Sequence, residues 1–196
     1  AIQIIKEKYG EDRDYIILDR CAGTGNLEKF FNDEELSHCV LNTYDYTEWT
    51  TLKGLYDGRV RMIIPPTHDS RDNKGLLKVG DALSENFINY DPLNEIIRNK
   101  DISVIILENP PFVDIFSNKE GGVKSTSMSS AFIREQMTGR ERTDLGNQFI
   151  WSAFNYYLRD KYDFAIIYSP IKYWKSQHLV DKKFIKGYLC NKLHFN

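Results

Sequence analysis

The chain has 196 residues, of which 41% are hydrophobic and 28% charged, a composition typical of one folded domain and not of a disordered or fibrous chain. The formal net charge of −2 divides into −7 over residues 1–112 and +5 over residues 113–196, which is compatible with a polyanionic partner on one face. No apolar run approaches the roughly 20 residues that span a membrane, and three widely spaced cysteines argue against a disulfide framework or a thiolate zinc site. We therefore expect a cytoplasmic protein that holds no metal and contacts no membrane.

Apolar runs and helical spacing predict alternating helices and strands along the chain. In the amino-terminal half we expect a helix at Ile2–Lys8, a strand at Tyr15–Leu18, a helix at Leu27–Leu36, a weaker strand at Cys39–Thr43, a helix at Thr47–Leu55, an insertion over 59–75 and a weaker strand at Leu76–Val79. In the rest we expect a helix at Pro92–Lys100, a strand at Ile102–Leu107, a long basic loop over 113–146, a helix at Gln148–Leu158 and a strand at Phe164–Tyr168.

This alternation predicts an α/β, Rossmann-like fold, with a doubly wound, mainly parallel sheet and helices on both faces. Ligands bind such sheets at the carboxyl ends of the strands, near the point where the strand order reverses. Candidate site residues are therefore sought directly after the predicted strands.

The first candidate site follows the first predicted strand, in the sequence DRCAGTGN of residues 19–26, here called the glycine turn. Gly23 and Gly25 permit a tight turn and leave room for a ligand over the strand end. The spacing is not the G-x-G-x-x-G of dinucleotide sites, because residue 28 is Glu, and this disfavours pyrophosphate binding. Asp19 instead places a carboxylate beside the turn, suited to an ammonium group; the alternative is a plain strand-to-helix turn with a solvated Asp19.

The second candidate site ends the most apolar predicted strand with the sequence NPPF of residues 109–112, here called the proline ledge. Its two prolines fix φ and remove two N–H donors, which leaves a stiff, extended backbone with free carbonyls. Asn109 supplies a side-chain carbonyl, Pro110 a backbone carbonyl and Phe112 an aromatic face. Such a ledge can hold a planar ring that bears an amino group. The alternative is a strand stopped by prolines, with Phe112 as core filler.

Together, D-x-x-x-G-x-G after the first strand and N-P-P-F after a later one resemble the class I S-adenosylmethionine-dependent amino-methyltransferases. The likeness is greatest to the adenine-N6 DNA methyltransferases of restriction–modification systems. It extends from about residue 15 to about residue 185, through residues 79–83 (VGDAL), 144–158 and 166–174. The resemblance implies methyl transfer from S-adenosylmethionine to the exocyclic amine of an adenine flipped out of double-stranded DNA.

The resemblance also implies a role for each matching position. The cofactor-binding residues would be Asp19, Cys21, Gly23, Gly25, Asp45, Tyr46, Asp81, Ala82 and Leu83. The first four would line the methionine end, while Asp45, with Glu48 as its rival, would bind the ribose hydroxyls. Tyr46 would lie against the adenine ring, Asp81 would accept from the cofactor's exocyclic amine, and the Ala82–Leu83 backbone would border the same ring. For Asp45, Tyr46 and Asp81, the alternative is a turn residue at a strand end.

The catalytic residues would be those of the proline ledge, Asn109, Pro110, Pro111 and Phe112. The carbonyls of Asn109 and Pro110 would accept from the target amine and favour a more tetrahedral nitrogen, while Phe112 would stack on the target base. Positioning and electrostatic preorganisation would then supply much of the rate, without a strongly basic residue.

The sequence departs from the family pattern at three places. Arg20 stands where the family usually has proline, and we interpret it as a surface substitution that leaves the conformation of the turn open. The segment that normally precedes the first motif is not recognisable, and no target-recognition domain follows. We therefore expect residues 1–196 to form a single catalytic domain that is a piece of a larger enzyme. Another domain or a specificity subunit would recognise the target sequence in the substrate DNA.

Three other functions fit the same motifs. Enzymes that methylate protein glutamine or an RNA base share the proline ledge, whereas the basic loop over 113–146 favours nucleic acid. A function of another class is a non-catalytic, methyltransferase-like subunit that binds DNA; the intact proline ledge argues against it.

Overall fold

The computed structural model describes residues 7, 13–68, 71–72, 75–112 and 129–170. The protein is built on a five-stranded, entirely parallel sheet with strand order β3-β2-β1-β4-β5. The strands are β1 (Tyr15–Asp19), β2 (Cys39–Asn42), β3 (Met62–Ile64), β4 (Ser103–Glu108) and β5 (Phe164–Ile167). This sheet and its helices confirm the predicted α/β class and agree with a Rossmann-like fold.

Six α-helices are seen in the described part of the chain. They are α1 (Asp33–Ser37), α2 (Tyr46–Tyr56), α3 (Glu85–Ile88), α4 (Asp91–Arg98), α5 (Ser129–Gln136) and α6 (Leu145–Ser152). A π-helical turn, Ala153–Tyr157, continues α6. Short polar side chains fix where several helices begin, since Asn32, Asp45, Ser84 and Asp144 each accept from a backbone N–H of the first turn. Among the described residues, no helix combines the length and apolar character needed to cross a membrane.

Two apolar layers enclose the sheet, because successive side chains of a strand point to opposite faces. Ile16 and Leu18 of β1 enter the layer that packs against α4 and α6, whereas Ile17 enters the layer that packs against α2. β4 alternates in the same way, with Ile106 in the first layer and Leu107 in the second. Fully burying a side chain of this size contributes about 1.5–3 kcal/mol, so the two central strands anchor the fold.

The observed elements differ from the predicted ones at the edge of the sheet. β3 lies inside residues 59–75, predicted as an insertion, because three edge-strand residues are too few to give a periodic pattern. The predicted strand Leu76–Val79 is wrong, since Leu76 and Leu77 form only isolated bridges before the chain turns.

Two predicted helices are interrupted, and two predictions fall partly outside the described residues. The predicted helix Leu27–Leu36 is a 3-10 turn followed by α1, because Asn32 caps a new helix. The predicted helix Gln148–Leu158 begins earlier, at Leu145, and changes to the π-helical turn at Ala153. Apart from Glu7, the predicted helix Ile2–Lys8 lies outside the described residues. So do residues 113–128 of the predicted loop, whose remainder contains α5 and the start of α6.

Asp163 and Arg159 fasten the amino end of β4. Asp163 is buried; its Oδ1 accepts from the Val104 N–H at 2.7 Å, and its Oδ2 accepts from the Arg159 N–H at 2.7 Å and from Arg159 Nε at 2.9 Å. Arg159 also donates to three backbone carbonyls between residues 97 and 102. Burial alone raises the pKa of Asp163, but the hydrogen bonds from Arg159 and Val104 outweigh it and hold that pKa below its ordinary value.

We predict that Asp163→Asn lowers the free energy of unfolding by about 1–3 kcal/mol at neutral pH, because it removes a hydrogen-bonded buried charge. Because the pKa of Asp163 is lower in the folded than in the unfolded state, its carboxylate stabilises the fold fully above the unfolded-state pKa of about 4. This stabilisation is lost as the pH falls through the folded-state pKa. The deficit of the variant, measured by urea denaturation across a pH series, should therefore shrink below about pH 4.

The control is Asp101→Asn, which changes an exposed carboxylate just before β4 and should alter stability by less than about 0.5 kcal/mol. A deficit of Asp163→Asn that stays constant on acidification would contradict this role for the carboxylate.

Candidate functional site

The two predicted motifs meet at the centre of the sheet. β1 and β4 are neighbours, with Ile17 opposite Ile105 and Leu18 opposite Ile106. The strand order reverses between them, because β2 and β3 extend to one side and β5 to the other. The glycine turn follows β1 and the proline ledge follows β4, so both lie at the carboxyl ends of the strands that border the reversal point. That is the ligand-binding position in sheets of this kind.

A buried ion pair joins the two motifs. Arg20 is fully buried, so its interpretation as a surface substitution is wrong. Its Nε donates to Glu108 Oε2 at 2.9 Å and its Nη2 to Oε1 at 2.6 Å. Nη1 donates to Ser152 Oγ at 2.6 Å, and Nη2 also donates to the Phe149 carbonyl at 2.9 Å. Burial alone lowers the pKa of Arg20, but the Glu108 carboxylate raises it above its ordinary value, and the guanidinium stays charged.

The glycine turn is shaped by α2 as well as by its own glycines. Gly23 and Gly25 have φ values of 57° and 80°, which L side chains rarely adopt. A Cβ at Gly25 would lie 2.2 Å from Tyr56 Cε2, and the Tyr56 hydroxyl donates to the Gly25 carbonyl at 2.7 Å. Packing against Tyr56 therefore requires a glycine at 25 independently of any ligand. Burial raises the pKa of the Cys21 thiol well above its ordinary value, so this side chain is no thiolate nucleophile.

Two carboxyl groups lie buried together beneath the glycine turn. Asp19 Oδ1 accepts from the Cys21 N–H at 2.9 Å, but Oδ2 and both carboxyl oxygens of Glu28 have no hydrogen-bond partner among the described residues. Burial raises the pKa of both groups, and the charge of Glu28 raises the pKa of Asp19 further. One proton shared between the two groups would pair two of these three oxygens and remove the like-charge repulsion. The pair would then carry one negative charge.

The carboxyl end of β2 offers the two acidic side chains predicted as alternatives. Asp45 caps α2, with Oδ1 accepting from the Thr47 N–H at 2.8 Å and from the Glu48 N–H at 3.1 Å. Glu48 Oε2 accepts from the Thr43 hydroxyl at 2.8 Å, and Oε1 would lie 3.8 Å from a Cβ at Gly23. Glu48, rather than Asp45, is thus the carboxylate beside the glycine turn.

Tyr46 belongs to an aromatic cluster with Trp49 and His68 at the start of α2, packed against the second apolar layer. Its ring stacks on Trp49 with 6.0 Å between centroids, and the Arg71 guanidinium lies 4.6 Å from its centroid. The predicted contact of Tyr46 with a cofactor ring would therefore have to use a part of the Tyr46 ring that Trp49 and Arg71 leave uncovered.

Residues 79–83 lie against the carboxyl end of β2. A Cβ at Gly80 would lie 2.3 Å from the Thr43 carbonyl oxygen, so only glycine permits this approach. Asp81 follows directly, and its Oδ1 accepts from the Leu83 N–H at 3.1 Å. Ala82 and Leu83 are buried in the layer beside α4. Residues 79–83 are therefore brought to the same edge of the sheet as the glycine turn and the proline ledge.

The proline ledge leaves its asparagine open to solvent. Asn109 is exposed, and none of the hydrogen bonds found among the described residues uses its side-chain amide. Pro110 is buried and Pro111 exposed, and the ring of Phe112 packs with Ile150 and its neighbours on the π-helical turn and β5. The ledge thus presents the side-chain amide of Asn109 to solvent, next to the buried Pro110.

Sequence reasoning missed two features of this site, the Arg20–Glu108 pair and Glu28. A signal for the pair was present. Arg20 continues the face of Ile16 and Leu18 on β1, Glu108 continues the face of Ile106 on β4, and opposite charges at the same level of neighbouring strands predict contact. Glu28 gave no comparable signal, because it begins the short 3-10 turn Glu28–Phe30, whose position depends on tertiary packing.

Comparison with known proteins identifies no family for this chain. No protein-family model matches the chain, and searches of curated proteins and solved structures give no match. Among the described residues, no group of three or more His, Cys, Asp or Glu side chains could hold a metal ion.

We predict that Glu28→Gln raises the free energy of unfolding at neutral pH by about 1 kcal/mol or more, or roughly 2–4 °C in melting temperature. The amide mimics the protonated carboxyl and can donate to Asp19. Because the pKa of Glu28 is higher in the folded than in the unfolded state, its contribution to stability is fully present below the unfolded-state pKa of about 4–5. That contribution is lost as the pH rises through the folded-state pKa. The advantage of the variant, followed by thermal melting at several pH values, should therefore disappear on acidification.

Glu95→Gln, an exposed carboxylate on α4, serves as the control and should melt like the wild type at every pH. The shared proton would be refuted by a Glu28→Gln variant that melts below the wild type at neutral pH.

Proposed function

We propose that the protein transfers a methyl group from S-adenosylmethionine to the exocyclic N6 amine of adenine in DNA, within a restriction–modification system. The observation that carries the proposal is the meeting of the glycine turn and the proline ledge at the carboxyl ends of β1 and β4. One motif alone fits many α/β proteins. The two side by side at the reversal point would supply a cofactor site and an amine site next to each other, at the position where sheets of this kind bind ligands.

The residues around the glycine turn fit this cofactor. The Asp19–Glu28 pair supports an ammonium ligand, because three of its buried carboxyl oxygens have no hydrogen-bond partner among the described residues. Gly23 keeps the turn clear, and Glu48 beside it is suited to the ribose hydroxyls. Asp81, on the segment that packs against the end of β2, is suited to the adenine side. When bound, the cofactor supplies an electrophilic methyl group.

The proline ledge would hold and orient the target amine. The side-chain carbonyl of Asn109 and the backbone carbonyl of Pro110 are suited to accept its two hydrogens, which favours a tetrahedral nitrogen with an available lone pair. Phe112, whose ring is kept near the ledge by Ile150, would stack on the base. The proposal needs no general base, since positioning and preorganised acceptors provide most of the effect.

A DNA base must leave the duplex to reach such a ledge, at an unstacking cost of a few kcal/mol. The excess positive charge of residues 113–196 supports a nucleic-acid partner over a protein one. The DNA sequence would be read by a target-recognition domain or a specificity subunit.

The proposal is tested with radiolabelled S-adenosylmethionine supplied in parallel with duplex DNA, RNA and a protein extract. We expect label in DNA, recovered as N6-methyladenine after digestion. Asn109→Ala should reduce the transfer rate by about 100-fold or more, because it removes an acceptor aimed at the reacting amine, and should leave cofactor binding by calorimetry intact.

The matched control is Asn99→Ala, which changes an exposed asparagine before the amino end of the same strand and should keep the wild-type rate. Label confined to protein or to RNA would overturn the DNA substrate. Cofactor binding without label in any substrate would instead favour a non-catalytic subunit.

A further inference from the structure

We propose that Arg20 and Glu108 are positioning residues that hold the cofactor side of the crevice in register with the substrate side. This inference rests on the proposed function. Arg20 is the residue after Asp19, and Glu108 is the residue before Asn109, so the ion pair joins the two motifs through single peptide units. No other hydrogen bond or ion pair between side chains of the described residues links the glycine turn to β4 or the proline ledge.

The geometry of the pair fixes orientation as well as distance. Two parallel N–H···O bonds between the guanidinium and the carboxylate, at 2.9 and 2.6 Å, permit one relative angle of the two planes. Nη1 is fixed by Ser152, and the rings of Phe149 and Tyr157 lie within 5.2 Å of the guanidinium carbon. The pair therefore sets where the glycine turn stands relative to β4, and α6 sets where the pair stands.

Stability alone does not explain a charged pair at this place. Arg20 and Glu108 are both fully excluded from water, and the desolvation of two ions offsets much of their attraction. Apolar side chains of similar volume, which would extend the layer of Leu18 and Ile106, usually serve stability as well or better. They would, however, allow the two strand ends to shift against each other, because apolar packing has no preferred hydrogen-bond angle.

The test is the double variant Arg20→Met/Glu108→Leu, which replaces the pair by apolar groups. We expect a melting temperature within about 4 °C of the wild type, or above it. We expect kcat for DNA methylation to fall by at least about ten-fold, because the two halves of the crevice lose their register. Cofactor Kd and KM for DNA should change by less than about three-fold, because each half remains intact. A kcat within about three-fold of the wild type would overturn the proposal.

Arg20→Lys covers the case in which the double variant does not fold. Lysine keeps the charge but loses the planar fork, so kcat should again fall while the fold persists; a wild-type kcat would overturn the proposal. The control is Arg159→Met/Asp163→Leu, which removes the ion pair at the amino end of β4. It should lower the melting temperature, because Asp163 and Arg159 also bond the Val104 N–H and backbone carbonyls before β4, and it should leave kcat per folded molecule unchanged.

Hydrogen–deuterium exchange separates this proposal from the proposed function. If the wild type methylates no substrate, the proposed function fails, and exchange still tests positioning. The amides of residues 20–26, of Asn109 and of Phe112 should exchange faster in the double variant, or in Arg20→Lys if the double variant does not fold, than in the wild type under the same conditions. Unchanged exchange in both segments would overturn the positioning role.

Discussion

The buried ion pair between Arg20 and Glu108 is the constraint on which the centre of this molecule depends. Parallel strands bring the ends of β1 and β4 together, but backbone pairing leaves the orientation of the loops beyond them open. A bidentate pair at that level, braced by Ser152, removes this freedom. Breaking a buried pair from one side strands a charge in the core, at a typical cost of about 3–5 kcal/mol. The two motifs and α6 are therefore tied to one another.

Electrostatics differ between the two ends of the sheet. At the amino end of β4, Asp163 is surrounded by donors, and its pKa is lowered. At the carboxyl end of β1, Asp19 and Glu28 face each other with unsatisfied oxygens, and their pKa values are raised. One end is arranged for stability, whereas the other tolerates unfavourable burial of charge. Proteins accept such local costs where a ligand or a reaction requires the charge.

Sequence patterns predicted the parts of this structure that depend on local periodicity. The apolar runs of β1, β4 and β5 and the helical spacing of α2 and α4 identified these elements, and the two motifs were expected at strand ends where they are found. β3 was missed because an edge strand of three residues carries no pattern. The burial of Arg20 was not predicted, because a charged residue is ordinarily exposed. Only its ion pair with Glu108 on β4 offsets the cost of burying the guanidinium. The capping role of Asp45 and the position of Glu48 depend on where α2 begins relative to the glycine turn, which a sequence pattern locates only within a few residues.

The central claim is that the ends of β1 and β4 form one cofactor crevice. It is tested most directly by titrating the 15N-labelled protein with S-adenosylmethionine and following the amide shifts by nuclear magnetic resonance. Shift changes should concentrate at the amides of residues 21–25, at Glu48 and at residues 81–83, and should extend to Asn109 across the Arg20–Glu108 pair. Saturable changes confined to other parts of the chain, or no change at all, would contradict the claim.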